Sequence, residues 1–142
     1  MFPELINNAT AVLLLRTVAG ILFFFQGYDK LFNIKIINVV RTFNDPLNKI
    51  HIPMALQKIG ITISSIIEFI CGLLLFFGFY KNMALFFLAG DLVFVALMFS
   101  CIKPMWDMQF YFPRLILIFI LLMISPSVDI FSIDYLISFK VK

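Results

Sequence analysis

The sequence predicts an all-α integral membrane protein: a four-helix bundle with an interfacial helix between its first two spans. Three observations carry this. Of the 142 residues, 63% are hydrophobic, and the mean hydropathy is +1.06. A soluble domain of this size leaves too much surface exposed to hide so much apolar side chain. Charged residues make up only 13%, about half the usual share in soluble domains. The apolar residues gather into four stretches, three of them close to the ~20 residues that cross a hydrocarbon core.

The first span covers about residues 9–30 and holds Arg16 inside its apolar run. No Lys or Arg precedes Arg16, so the stretch reads as a retained span and not as a secretory signal with a basic leading region. In the connection that follows, Ile36, Ile37, Val40 and Phe43 share one helical face, with Lys35 and Arg41 elsewhere. That pattern predicts a helix lying in the interface. Asn44-Asp45-Pro46 then reads as a turn. The second span, about 56–80, holds Glu68, and the third, about 83–102, holds Asp91. Tyr80-Lys81-Asn82 leaves room only for an antiparallel hairpin between them. The fourth span, about 109–125, is short, with Pro113 and Arg114 in its first turn and Pro126 at its end. Trp106 and Tyr111 can anchor it among the headgroups. The tail from Ser127 mixes Val128, Ile130, Phe131, Ile133 and Leu136 with Asp129 and Asp134, a composition suited to the interface. The whole chain, 1–142, reads as a single membrane domain. The long connection and its flanks carry more Lys and Arg than the side of the termini, so the positive-inside rule orients both termini outward.

Charges inside spans carry the functional information, because each costs roughly 2.5–3.5 kcal/mol at a helix centre unless it is partnered. Arg16, Glu68 and Asp91 are therefore expected to face one interior. Counted from the start of its own stretch, Arg16 lies about 10 Å deep and Asp91 about 12 Å, with Glu68 about 18 Å from the Tyr80 end. Arg16 is then within reach of Asp91, Glu68 or both. Such a group is either a structural pair that fixes helix register or a site for a proton or a polar ligand. A second polar cluster, Gln26, Asp29, Lys30, Asp107 and Arg114, is expected at one mouth of the bundle; snorkelling explains Lys30 and Arg114 taken singly. Gly20 and Gly27 lie on the Arg16 stripe, while Gly60, Ser64 and Gly72 recur every fourth residue with Glu68. Small residues at that spacing let helices approach closely in lipid.

Other chemistry finds no support. The lone His51 excludes bis-histidine haem ligation within one chain. Cys71 and Cys101 form no C-x-x-C pair and sit at different depths. No metal-ligand cluster, phosphate loop or serine nucleophile motif is visible, and no basic stripe interleaved with aromatics suggests nucleic acid. Catalytic residues cannot be assigned from the sequence, and no cofactor box is evident.

Arg16-x-x-x-Gly20, Gly27-x-x-Lys30-Leu31, Pro53, Glu68-x-x-x-Gly72, Gly78 and Ser132-Ile133-Asp134 resemble, in order and spacing, the DoxX family of small four-helix bacterial membrane proteins. The resemblance implies a multi-pass protein of the bacterial inner membrane with a membrane or periplasmic protein partner. Some members resemble subunits of thiosulfate:quinone oxidoreductases, and others accompany thioredoxin-like or superoxide-handling proteins. An accessory subunit linked to quinone or thiol redox chemistry is the first expectation. A non-enzymatic assembly partner and a small transporter or proton path are the alternatives.

Overall fold

The computed structural model describes residues 2–48, 52–100, 109 and 111–140. His51, Cys101, Trp106 and Asp107 lie outside the described residues. Among these residues the α-helices follow in order: α1 (Phe2–Tyr28), α2 (Ile36–Asn48), α3 (Met54–Phe77), α4 (Lys81–Ser100), α5 (Tyr111–Met123) and α6 (Ile133–Lys140). Among the described residues, three helical segments, Ile6–Asn33, Met54–Phe77 and Lys81–Ser100, are long and apolar enough to cross a membrane, and α5 is a shorter apolar helix. Leu14, Phe25, Ile59, Phe86, Leu97, Phe119 and many similar side chains are exposed, a surface that only lipid can cover favourably. The protein is an all-α membrane bundle.

The bundle is organised on α1 and α3. A Cβ added at Gly20 would stand 2.7 Å from the backbone nitrogen of Phe76, and one at Gly27 would stand 2.5 Å from that of Phe69 and 2.7 Å from the Ser65 carbonyl. Gly72 in turn abuts the backbone of Phe24 and Gly20. Without side chains between them, the two backbones touch, as small residues permit in lipid. The same contacts fix the antiparallel register: Gly27 is level with Ser65 to Phe69, Gly20 with Gly72 to Phe76. Phe24 stacks on Phe69 at 4.9 Å between centroids, which seals the seam. Gly60 serves a different contact, admitting the ring of Phe94 from α4.

Three local departures from the sequence reading follow from ordinary physics. The helix of the long connection runs through Asn44-Asp45-Pro46 without turning. Pro46 falls in its last turn, where it forgoes a single hydrogen bond. Val40 is fully buried in the structure, so this amphipathic helix also packs inward. At its far end α1 widens into a π-helical turn, Asp29–Asn33, closed by Ile34 N–H donating to the Asp29 carbonyl at 2.8 Å. Such single-turn widenings gather at functional sites, and this one carries Lys30.

Candidate functional site

The buried charges fall into two groups at different heights. Arg16 is not the partner of Glu68 or Asp91. Its Nη1 donates to the carbonyls of Leu75 (3.0 Å) and Phe76 (2.7 Å), its Nη2 donates to that of Phe131 (3.3 Å), and its Nε stands 3.4 Å from the carboxylate of Asp129. The expected grouping is corrected by register. Counting from the start of each apolar stretch assumed that the spans begin level, but α1 overshoots α3, so Arg16 meets the last turn of α3. Glu68 lies about ten residues further along the seam, roughly 15 Å away.

The Arg16 group ties helix ends together. α3 stops at Gly78, whose φ of 67° suits a residue without Cβ. Phe79 N–H donates to Leu74 O and Gly78 N–H to Leu75 O, the pairing of a Schellman ending. A Cβ at Gly78 would lie 2.5 Å from Arg16 Nη1. Lys81 opens α4, where a cation opposes the helix dipole. Two tail carboxylates offset it: Lys81 Nζ pairs with Asp129 at 3.0 Å, and Asp134 accepts from the backbone N–H groups of Tyr80 and Lys81, both at 2.8 Å. Ser132 Oγ accepts from Tyr135 N–H at 3.2 Å, capping α6. Ser132-Ile133-Asp134 thus closes α6 with its first residue and α4 with its third. Asp134→Ala is expected to lower stability by about 1 kcal/mol, read as a fall in thermal midpoint in detergent, while Asp134→Asn recovers most of it.

The second group faces a cleft of ≈ 970 Å³. Lys30, on the π-turn, pairs with Glu68 at 2.5 Å. Asp91 and Arg114 stand within electrostatic reach of Glu68. Ser64 and Asp91 are both buried, and the Ser64 hydroxyl lies within reach to donate to the Asp91 carboxylate. Gln26 and Gln57 also line the cleft, each with an unpartnered amide oxygen. Gln57 is held by its own Nε2, which donates to Ile52 O at 2.9 Å. Tyr111 reaches across from α5 to donate its hydroxyl to the Leu92 carbonyl at 3.0 Å. The walls are apolar, formed by Ile59, Ile63, Phe86, Phe87, Phe94 and Met98. Among the described residues no group of three His, Cys, Asp or Glu could hold a metal.

The structure therefore draws Glu68 and Asp91 into the company of Lys30, Arg114 and Gln26, and sends Arg16 to Asp129. Asp29 is exposed and bonds Asn33 at 2.6 Å, outside the cleft. Gly20, Gly27 and Gly72 lie in the α1–α3 seam, and Ser64 faces the cleft. Sequence reasoning passed over Asp129, Lys81 and Gln57 as parts of any site. The one available signal was Lys81 at the start of a helix, where a cation calls for an acid.

A membrane bundle with one buried structural ion-pair knot and one charged, apolar-walled cleft is the class that fold and geometry define. The chain belongs to the DoxX family, whose model matches residues 11–100. No curated protein and no solved structure matches it. The match takes in Arg16, Lys30, Glu68, Gly72, Lys81 and Asp91, while Arg114 and the Asp129–Asp134 tail lie beyond it.

Proposed function

We propose that the chain is an accessory subunit of a redox complex in the bacterial inner membrane, and that its cleft holds a lipid-soluble quinone. The observation that carries this reading is the cleft itself, with charged and unpartnered polar groups at its floor and apolar walls at its sides. Its volume lies at the upper end of the ~300–1,000 Å³ typical of small-molecule sites, enough for a ring and the first isoprenoid units. Lys30 and Arg114 can donate hydrogen bonds to the oxygens of such a ring, and the phenylalanine walls suit its tail. When bound, a quinone supplies a two-electron, two-proton acceptor. The link to redox chemistry rests on family membership, an analogy that sets a prior for the site. Between the cleft and the Arg16 knot, Ala19, Phe23, Leu75, Leu85 and Leu88 are fully buried. That apolar layer favours a one-sided binding site over a path through the membrane.

Gly90 provides the test. It lines the cleft, and a Cβ built there meets nothing within 4 Å. Gly90→Leu should therefore fill the cleft without strain, and it replaces a poor helix former by a good one. Protein purified from native membranes should carry extractable quinone. Gly90→Leu should carry at least tenfold less at a thermal midpoint no lower than the wild type's. Absence of quinone from the wild type, or equal loading of the variant, would overturn the reading.

A further inference from the structure

We infer that Arg114 anchors the occupant of the cleft and selects an anionic one: a quinone whose ring carries an ionised hydroxyl beside a carbonyl, in preference to a neutral quinone. The inference rests on the quinone reading above. It follows from which polar groups of the floor are already engaged. Lys30 pairs with Glu68 at 2.5 Å. The Asp91 carboxylate has the Ser64 hydroxyl, and Lys30 acts on it through space. The Tyr111 hydroxyl donates to the Leu92 carbonyl at 3.0 Å. Arg114 differs from all of these. It lines the cleft from the first turn of α5 and is half-buried, yet its guanidinium makes no hydrogen bond or ion pair within the described residues. Its tie to the floor is the field of Glu68, and that carboxylate already holds an ammonium of its own.

A guanidinium does not shed its proton, and its N–H donors form a rigid planar fork. Leaving those donors without acceptors between apolar walls is costly. A single neutral carbonyl answers only part of that demand. Two adjacent oxygens that share a negative charge answer the fork with two parallel, charge-assisted hydrogen bonds, each about twice as strong as a neutral one. An ionised hydroxyl beside a ring carbonyl is such a pair. The rest of the cleft fits the same molecule. Ile59, Ile63, Phe86 and Phe87 line it and are themselves exposed, so it opens sideways into lipid and admits an alkyl tail. The carboxylate of a fatty acid offers the same oxygen pair, but the aromatic side chains of Phe86, Phe87 and Phe94 favour a flat ring at the head of that tail.

The test is equilibrium binding of three probes to the purified full chain by titration calorimetry: a decyl-chain hydroxynaphthoquinone, which is ionised at neutral pH; the methyl ether of that hydroxyl, which cannot ionise; and decanoate. The hydroxynaphthoquinone should bind about tenfold more tightly than its ether and more tightly than decanoate, and when bound it should show the visible absorption band of its ionised form. Arg114→Gln should narrow the advantage over the ether to about threefold or less, at a thermal midpoint close to the wild type's, because the substitution strands no partner. Arg114→Lys, which keeps the charge and loses the fork, should fall between. Equal binding of the hydroxynaphthoquinone and its ether would overturn the inference and leave the quinone reading standing, as would an advantage that survives undiminished in Arg114→Gln. Decanoate that binds as tightly as the hydroxynaphthoquinone would overturn it in favour of a fatty-acid site. Binding of neither quinone would overturn the quinone reading itself.

Discussion

Arg16→Ala is expected to abolish or severely reduce accumulation of folded protein. Where protein survives, its stability should fall by about 3–5 kcal/mol, the usual result of removing one partner from a buried ion pair. Asp129 is fully buried and would retain only Lys81. The Phe76 carbonyl would lose its guanidinium donor at the end of α3, and the Leu75 carbonyl would keep only the Gly78 N–H. Arg16→Lys should fall between, because an ammonium keeps the charge but cannot fork between a carboxylate and several carbonyls. Leu14→Ala, on a side chain 61% exposed two residues away, should leave the yield of monodisperse protein and its thermal midpoint nearly unchanged. Equal behaviour of Arg16→Ala and Leu14→Ala would contradict the role assigned to the knot.

Gly27→Ala should also be destabilising, although it adds a single methyl group and raises intrinsic helix propensity. That methyl would meet the Phe69 nitrogen and Ser65 carbonyl at 2.5 and 2.7 Å. Both are backbone atoms, so no rotamer change relieves the contact and the two helices must separate. Overpacking of this kind costs about 1–3 kcal/mol. Displacement of α1 would also move Lys30 away from Glu68. Gly90→Ala is the matched control, since its methyl meets open space. Thermal midpoints in detergent should therefore move in opposite directions for the two glycine-to-alanine variants.

Much of this architecture is legible in the sequence. Four apolar stretches, a three-residue hairpin and two small-residue stripes are enough for an antiparallel helical membrane protein. These signals are local, and hydropathy and periodicity report local properties well. Relative height is a different matter. Arg16, Glu68 and Asp91 look alike to a hydropathy profile, and only the seating of Gly20, Gly27 and Gly72 against α3 decides which of them meet. The tail misleads for a related reason. Asp129 sits among Val128, Ile130 and Phe131 and reads as one acid of an interfacial segment, yet its carboxylate pairs with both Arg16 and Lys81. The π-turn that presents Lys30 leaves no composition signal, because one extra residue per turn changes geometry and not residue type.

The Arg16–Asp129 contact also carries information about time. The arginine belongs to α1, and the carboxylate it pairs with follows it far along the chain, after α5. At about 5–20 residues per second, the roughly 110 residues between them take on the order of 5–20 s to synthesise. For that interval a guanidinium must sit in or near the nascent bilayer without its acid. The α3 carbonyls that it will eventually share are made midway and can hold it in the meantime. Insertion is then a staged process in which the α1–α3 hairpin forms first and the arriving tail locks it, and a ribosome that stops short of Asp129 releases a chain with an unneutralised cation for membrane quality control to find.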